Sequence, residues 1–237
     1  MSNTESMPVI ESTTDYTLFK TLKGNRIHNK SHIRKLRTLI KDDPKGLQYT
    51  PIVVNNRYEI IDGQHRIEAV KQINDEFGVQ IPVYYLINPK ATIKTAQMLN
   101  SSSKSWSPND YALSYSTLGN ENYEIYLDFK KRYKLNHDVL LSYLGMNNPI
   151  SSVDFKDGKF AVEDEDKSAN LCDKLLTVGK FYPEYKKRSF ALAFKILWQD
   201  ERFNWEKALA FFEKEGDKIQ HQPRPDMYKP ILAKVLE

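Results

Sequence analysis

Cysteine is almost missing from this chain: of 237 residues only Cys172 carries a thiol. One cysteine excludes an intramolecular disulfide and a zinc site built on thiolates, and its neighbours Leu171, Leu175 and Leu176 mark it as a packed side chain. Long apolar runs are missing too. The longest span a handful of residues, such as 81–87, which Pro82 interrupts; a membrane-spanning helix needs roughly 20. The opening MSNTESMPVIESTTDYT has neither a basic start nor an apolar centre, so no secretory signal is expected and the expected location is cytoplasmic, with no membrane partner. Collagen-like and mini-protein architectures are excluded by composition and length. Apolar residues make up 40%, aromatic 12% and charged 28%, enough sticky surface to offset ordering entropy over one large domain or two small ones.

The net charge of +4 is unevenly placed. Residues 1–100 hold 14 Lys+Arg against 10 Asp+Glu, whereas residues 101–237 hold 21 of each. Between Lys20 and Lys45 nine basic side chains face only Asp42 and Asp43. Such a cluster suits a phosphate-bearing partner, with Lys23, Arg26, Lys30, Arg34, Lys35 and Arg37 as candidate nucleic-acid contacts, or else a solvated helix face that serves solubility.

Local signals divide the chain. Residues 1–16, polar and without periodicity, read as a flexible arm, and Thr17-Leu18-Phe19 as a short strand. Ser31 is placed to cap a helix on which Ile33, Leu36, Leu39 and Ile40 share a face, with Asp42-Asp43-Pro44 and Gly46 closing it. Pro51 to Val54 and Tyr58 to Asp62 are β-rich and flank Asn55-Asn56-Arg57, a hairpin in which asparagine takes the positive φ. Gly63 then opens a helix marked by Ile67, Val70, Ile73 and Phe77, Gly78 ends it, and 81–87 is the next strand. Beyond 90 the pattern turns helical, near 91–100, 108–118, 121–133, 137–144, 165–178, 187–200, 204–215 and 226–236. Ser107-Pro108 is a strong helix start. The one β-like interruption, 153–162, carries Asp157-Gly158 and is expected as a hairpin. The fold class expected is α+β: an α/β domain over 17–100, then a mostly helical domain over 101–237 with a small hairpin near 153–162. The spaced aromatics Trp198, Phe203, Trp205, Phe211 and Phe212 are expected to pack rather than stack on bases.

The junction Asp62-Gly63-Gln64-His65-Arg66 carries the chemistry. A glycine lets backbone approach a guest, the amides of the next helical turn favour an anion, and Arg66 adds a donor fork suited to phosphate oxygens. His65 can donate or accept near neutral pH, and Asp62 could hold either of them or a metal. The plain alternative is a strand-to-helix turn with Asp62 as cap and Arg66 on the surface.

The run PIVV, a short turn and YEIIDGQHRIEAV, with LKGNRIHNKSHIRKLRTLI upstream, resembles the N-terminal domain of the ParB and sulfiredoxin superfamily. There a strand ends in a glycine box that opens a helix; the box reads GERR in ParB partition proteins and grips the phosphates of CTP, and GCHR in sulfiredoxin, where it grips those of ATP. Gly63-Gln64-His65-Arg66 stands in that place. A second ParB stretch, ENxxRxxLxPxExA, is similar to Leu99 through Ala112, with Asn100, Pro108 and Ala112 in register and Trp106 at the leucine. The resemblance spans about residues 17–112. It implies a ParB/sulfiredoxin-like N-terminal domain and a nucleotide, CTP or ATP, with Mg2+. It also implies phosphate contacts from Gly63, Gln64, His65, Arg66, Asn100 and Lys104, and DNA and a second copy of the chain as partners.

The departures from the family pattern are chemical. Sulfiredoxin needs a thiolate nucleophile where Gln64 stands, so sulfinic acid reduction is rejected. The ParB carboxylate that helps to hold magnesium is Leu99, and the family arginine is Ser103, with Lys104 beside it as a point charge. Leu135 to Gly145 resembles the first helix and turn of a ParB helix-turn-helix, with Asn136 as cap, but no second helix follows. The function expected is nucleotide or phosphate binding, acting with DNA in a plasmid, phage or mobile-element setting. Two alternatives remain open: a phosphotransferase or nuclease using Asp62 and His65 as catalytic groups, and a protein-interaction module that has lost its ligand.

Overall fold

A computed structural model describes residues 9–99 and 106–237. The chain divides into two compact units, one ending at Leu118 and the other running Gly119–Glu237.

The first unit is built on a mixed five-stranded sheet of order β1-β5-β3-β4-β2, with β1 at Ile10–Thr13, β2 at Lys20–Thr21, β3 at Ile52–Val54, β4 at Glu59–Asp62 and β5 at Val83–Ile87. β3 runs antiparallel to β4 and parallel to β5; β1 is antiparallel to β5, and β2 parallel to β4. Helices α1 (Lys30–Asp42) and α2 (Gln64–Phe77) bury Ile33, Ile40, Ile67, Val70 and Ile73 with Ile52, Val54 and Ile60 of the sheet in one apolar core. A smaller cluster of Ile61, Ala91 and Ala96 brings in α3 (Ile93–Leu99), and α4 (Pro108–Thr117) completes the unit.

Several expectations are corrected here. Residues 10–16 are not an arm: β1 is a solvent-facing edge strand, polar because neither face is buried, and the buried Tyr16 hydroxyl donates to the Ile81 carbonyl at 2.8 Å and accepts from its amide at 2.7 Å. Thr17 and Leu18 lie in a single 3-10 turn because the Asp15 carboxylate takes the Thr17 amide. Asn29, not Ser31, caps α1 by accepting from the His32 amide at 3.0 Å. The β3–β4 hairpin forms, yet its positive φ of 59° falls on Tyr58; Asn55 instead uses its side-chain oxygen to take the amides of Arg57 and Glu59.

The second unit is helical: α5 (Glu121–Tyr133), α6 (His137–Leu144), α7 (Ser152–Lys156), α8 (Glu165–Val178), α9 (Arg188–Trp198), α10 (Trp205–Glu215) and the short α11 (Lys229–Leu232). The expected hairpin near 153–162 is overturned. Ser151 caps α7, and Gly158, at φ 79°, follows its last turn, so the left-handed preference that suits a hairpin here serves a helix end. Phe160 packs edge-on, and Phe155 at a tilt, against Tyr123 and Tyr126. α6 has the expected Asn136 cap, at 2.9 Å from the Val139 amide, but only the five-residue α7 with its buried Phe155 follows it. That is not a helix able to enter a major groove. Lys195, buried on α9, donates to the carbonyls of Ser142, in the last turn of α6, and of Met146, just beyond it, each at 2.6 Å. Cys172 is fully buried, and desolvation pushes its thiol up, as an inert packed side chain requires.

His137 makes this unit sensitive to acid. Tyr126, its own ionisation pushed up by burial, lies with its hydroxyl 2.9 Å from His137 Nδ1, and burial holds the His137 pKa below the ordinary imidazole value. The unfolded ring therefore binds a proton at about pH 6.5 while the folded ring still resists it, so stability is lost from there down to the lower folded-state value. Urea midpoints measured from neutral to mildly acidic pH are expected to fall over that window in the wild type and to stay flatter in His137→Gln. Equal pH slopes for the two proteins would contradict this.

Candidate functional site

The sequence Ile61-Asp62-Gly63-Gln64 turns a buried strand into a helix within one residue. Gly63 adopts φ 92°, and its carbonyl accepts the first helical bonds from Arg66 and Ile67 at 2.9 and 3.1 Å. A Cβ at this position would lie 2.3 Å from Ile52 Cγ2 and 2.8 Å from Arg66 Nη2. The glycine thus serves the fit of β3 and the placement of Arg66 as well as the backbone angle.

A cavity of about 760 Å³ opens at this turn, within the size range of small-molecule sites. Three helix N-termini converge on it: Asn29 and His32 of α1, Gly63 to Arg66 of α2, and Ser107 with Asp110 of α4. The end of α4 is closed by a capping box, in which Asp110 accepts from the Ser107 amide at 2.8 Å. The end of α2 has no side-chain cap, because its N-cap is glycine. Each such terminus carries partial positive charge and favours an anion. Ile27, Leu36 and Leu99 give the same cavity an apolar side.

The loop between β2 and α1 is clamped into place. Asn25 donates to the Ile60 carbonyl at 3.0 Å, Gln64 donates to the Arg26 carbonyl at 2.9 Å, and the Asn29 amide donates to His65 Nε2 at 3.0 Å. These bonds bring Arg26 into the cavity wall, with its guanidinium 5.9 Å from the Trp106 ring centre. Arg66 is also in the wall, and its Nη2 donates to Asp62 at 2.8 Å. Its Nε is buried without a partner.

Asp62, Gly63, Gln64, His65 and Arg66 are therefore brought together. Asp62 accepts from Arg66 Nη2, and His65 Nε2 accepts from the Asn29 amide. Asn100 and Lys104 lie outside the described residues. Of the six candidate nucleic-acid contacts, Arg26 lines the cavity and Arg37 is ion-paired with Glu76 of α2. Lys23, Lys30, Arg34 and Lys35 are exposed and absent from the cavity wall. Among the described residues no group of three or more His, Cys, Asp or Glu could hold a metal, and Leu99 offers no oxygen.

Sequence reasoning missed Asn25, Asn29, His32 and Asp110 as wall residues. The only signal for them was local: Asn25 follows Gly24, Asn29 precedes a helix, and Asp110 stands three residues beyond Ser107. Among the described residues no helix is long and apolar enough to cross a membrane. Comparison with protein-family models, curated proteins and solved structures returns no match to this chain, so the site is read from its own geometry.

Proposed function

We propose that this chain is a ParB-like nucleotide- or polyphosphate-binding protein, taking CTP or ATP, that acts with DNA in a plasmid, phage or mobile-element setting. The observation that carries the reading is the cavity at the uncapped start of α2, walled by Arg26 and Arg66. The amides of the α2 start cradle phosphate oxygens and the two guanidiniums supply charge. The apolar side given by Ile27, Leu36 and Leu99 receives the sugar or base. Any Mg2+ travels with the nucleotide rather than on protein carboxylates.

The DNA half of the proposal rests on Lys23, Lys30, Arg34 and Lys35, four exposed cations outside the cavity. Their contacts are to the phosphate backbone and are sequence-independent.

Calorimetry with CTP, ATP and the other nucleoside triphosphates, with and without Mg2+, tests the nucleotide reading. At least one is expected to bind in the micromolar range, and heat from none of them would overturn it. Duplex DNA binding is expected to weaken steeply as salt rises and to shallow in slope when Lys30, Arg34 and Lys35 are changed to alanine; a slope unaltered by these changes would remove the DNA half. One observation favours the second reading, a protein-interaction module that has lost its ligand: Asp62 is held by Arg66, and His65 Nε2 by Asn29. Nucleotide bound and returned unhydrolysed is the result expected for the first reading and no nucleotide bound for the second, and hydrolysis abolished by Asp62→Asn would favour an enzyme instead.

A further inference from the structure

We infer that a second, smaller pocket beside the cavity receives the base of the nucleotide, and that Asp43 at its rim selects bases that carry an exocyclic amine. The inference rests on the phosphate reading of the cavity and adds where the rest of the ligand lies and which bases the site takes.

This pocket, of about 280 Å³, lies between the end of α1, the 3-10 segment Pro44–Tyr49 and Arg66. It is smaller than the roughly 300 Å³ at which sites for whole small molecules begin, so it suits part of a ligand whose remainder lies elsewhere. Arg66 and Leu36 stand in the walls of both spaces, so pocket and cavity adjoin. The guanidinium can serve both sides. It donates at its edge, where Nη2 meets Asp62 at 2.8 Å, and a flat ring stacks on its face.

The wall chemistry narrows the occupant to a base. Ile40 and Leu47 are buried and form an apolar floor, while Leu39, 63% exposed, leaves most of its apolar surface open for a guest to cover. A second phosphate does not suit this wall, because Arg66 is its only cation and the Asp43 carboxylate would repel the anion. An aliphatic chain would strip water from Asp43 and Thr50 without replacing the hydrogen bonds. A base offers both an apolar face and a polar edge, and with it in the pocket the sugar falls to Ile27 and Leu99 of the cavity.

Asp43 supplies the selection. Its Oδ1 accepts the Gly46 amide at 3.2 Å, which fixes the carboxylate, and its Oδ2 makes no hydrogen bond among the described residues. An ionised carboxylate only accepts. Cytosine and adenine present an amine donor on their polar edge, whereas uracil and hypoxanthine present a carbonyl oxygen at the same place.

The test is calorimetry with two matched pairs, CTP against UTP and ATP against ITP, and with inorganic tripolyphosphate, which has no base. At least one amine-bearing nucleotide is expected to bind about tenfold more tightly than its carbonyl counterpart. Asp43→Ser keeps a hydroxyl for the Gly46 amide and is expected to erase that lead. Leu39→Ala, at an exposed position, is expected to weaken the nucleotide several-fold while leaving tripolyphosphate unchanged. Equal affinity within both pairs, a lead that survives Asp43→Ser, or nucleotide binding unaltered by Leu39→Ala would each overturn this inference while the phosphate reading stands. Binding by none of the five probes would remove the phosphate reading and this inference together.

Discussion

Gly63→Ala is expected to destabilise the first unit by about 2–5 kcal/mol, the sum of a left-handed backbone imposed on a side chain and a methyl forced into a packed core. The φ of 92° supplies the first part, and the 2.3 Å approach to Ile52 Cγ2 the second. Ile52 cannot give way, because it is 1% exposed in the middle strand of the sheet. Gly78 is the control. It also has positive φ, 65°, but nothing lies within 4 Å of a Cβ there. Gly78→Ala therefore carries the backbone cost alone, about 1–2 kcal/mol. Urea denaturation of both variants, with amide exchange at β3 and α2 to assign the unit that unfolds, measures the difference. Equal losses at the two glycines would show that Ile52 does not hold Gly63 to its place.

The second large effect is a pair of changes of opposite sign at one ion pair. Arg66→Ala removes a guanidinium from the wall and leaves the Asp62 carboxylate unpaired beside the phosphate, so nucleotide affinity is expected to fall about tenfold to a hundredfold. Asp62→Asn removes a negative charge and releases Arg66, so affinity is expected to rise, by about tenfold at low salt and less as screening increases. Both side chains are a quarter to a third exposed, and such pairs contribute about 0–1 kcal/mol to folding, so both variants remain folded. Were Asp62 a metal ligand or a catalytic base, Asp62→Asn would weaken binding or stop turnover. Titration calorimetry on the two variants separates these cases by the direction of the change.

Much of the helical pattern beyond residue 100 was legible because its signals are short-range. Asn136 four residues ahead of Leu140, and Ser107 before Pro108, are start signals that tertiary packing does not disturb. The misreading at 153–162 has a local cause as well: Asp-Gly prefers the left-handed region, and Ser151 followed three residues later by Asp154 was the competing signal for a capped turn. The edge strand β1 escaped notice because Glu11 and Ser12 face solvent, so no apolar alternation marks it.

The site divides in the same way. The glycine turn was readable, since a strand followed by Gly63 and a periodic helix has few other forms. Its partners were not. Arg66 meets Asp62 one helical turn away, but Gln64 meets the Arg26 carbonyl across 38 positions and His65 meets Asn29 across 36. Nothing in the residues near 26 announces those contacts, and the basic cluster that drew attention there sends only Arg26 into the cavity, while Arg37 is spent on Glu76. Charge counted along a chain does not tell which cations share a wall.

The central claim is that oxyanions lodge at the start of α2. A crystal structure of the chain grown with saturating CTP or ATP tests it most directly. The account predicts phosphate density within hydrogen-bond reach of the Gln64 and His65 amides, with Arg66 turned from Asp62 toward it. An empty cavity at saturating nucleotide, or a nucleotide seated elsewhere with the Arg66–Asp62 pair undisturbed, would contradict it.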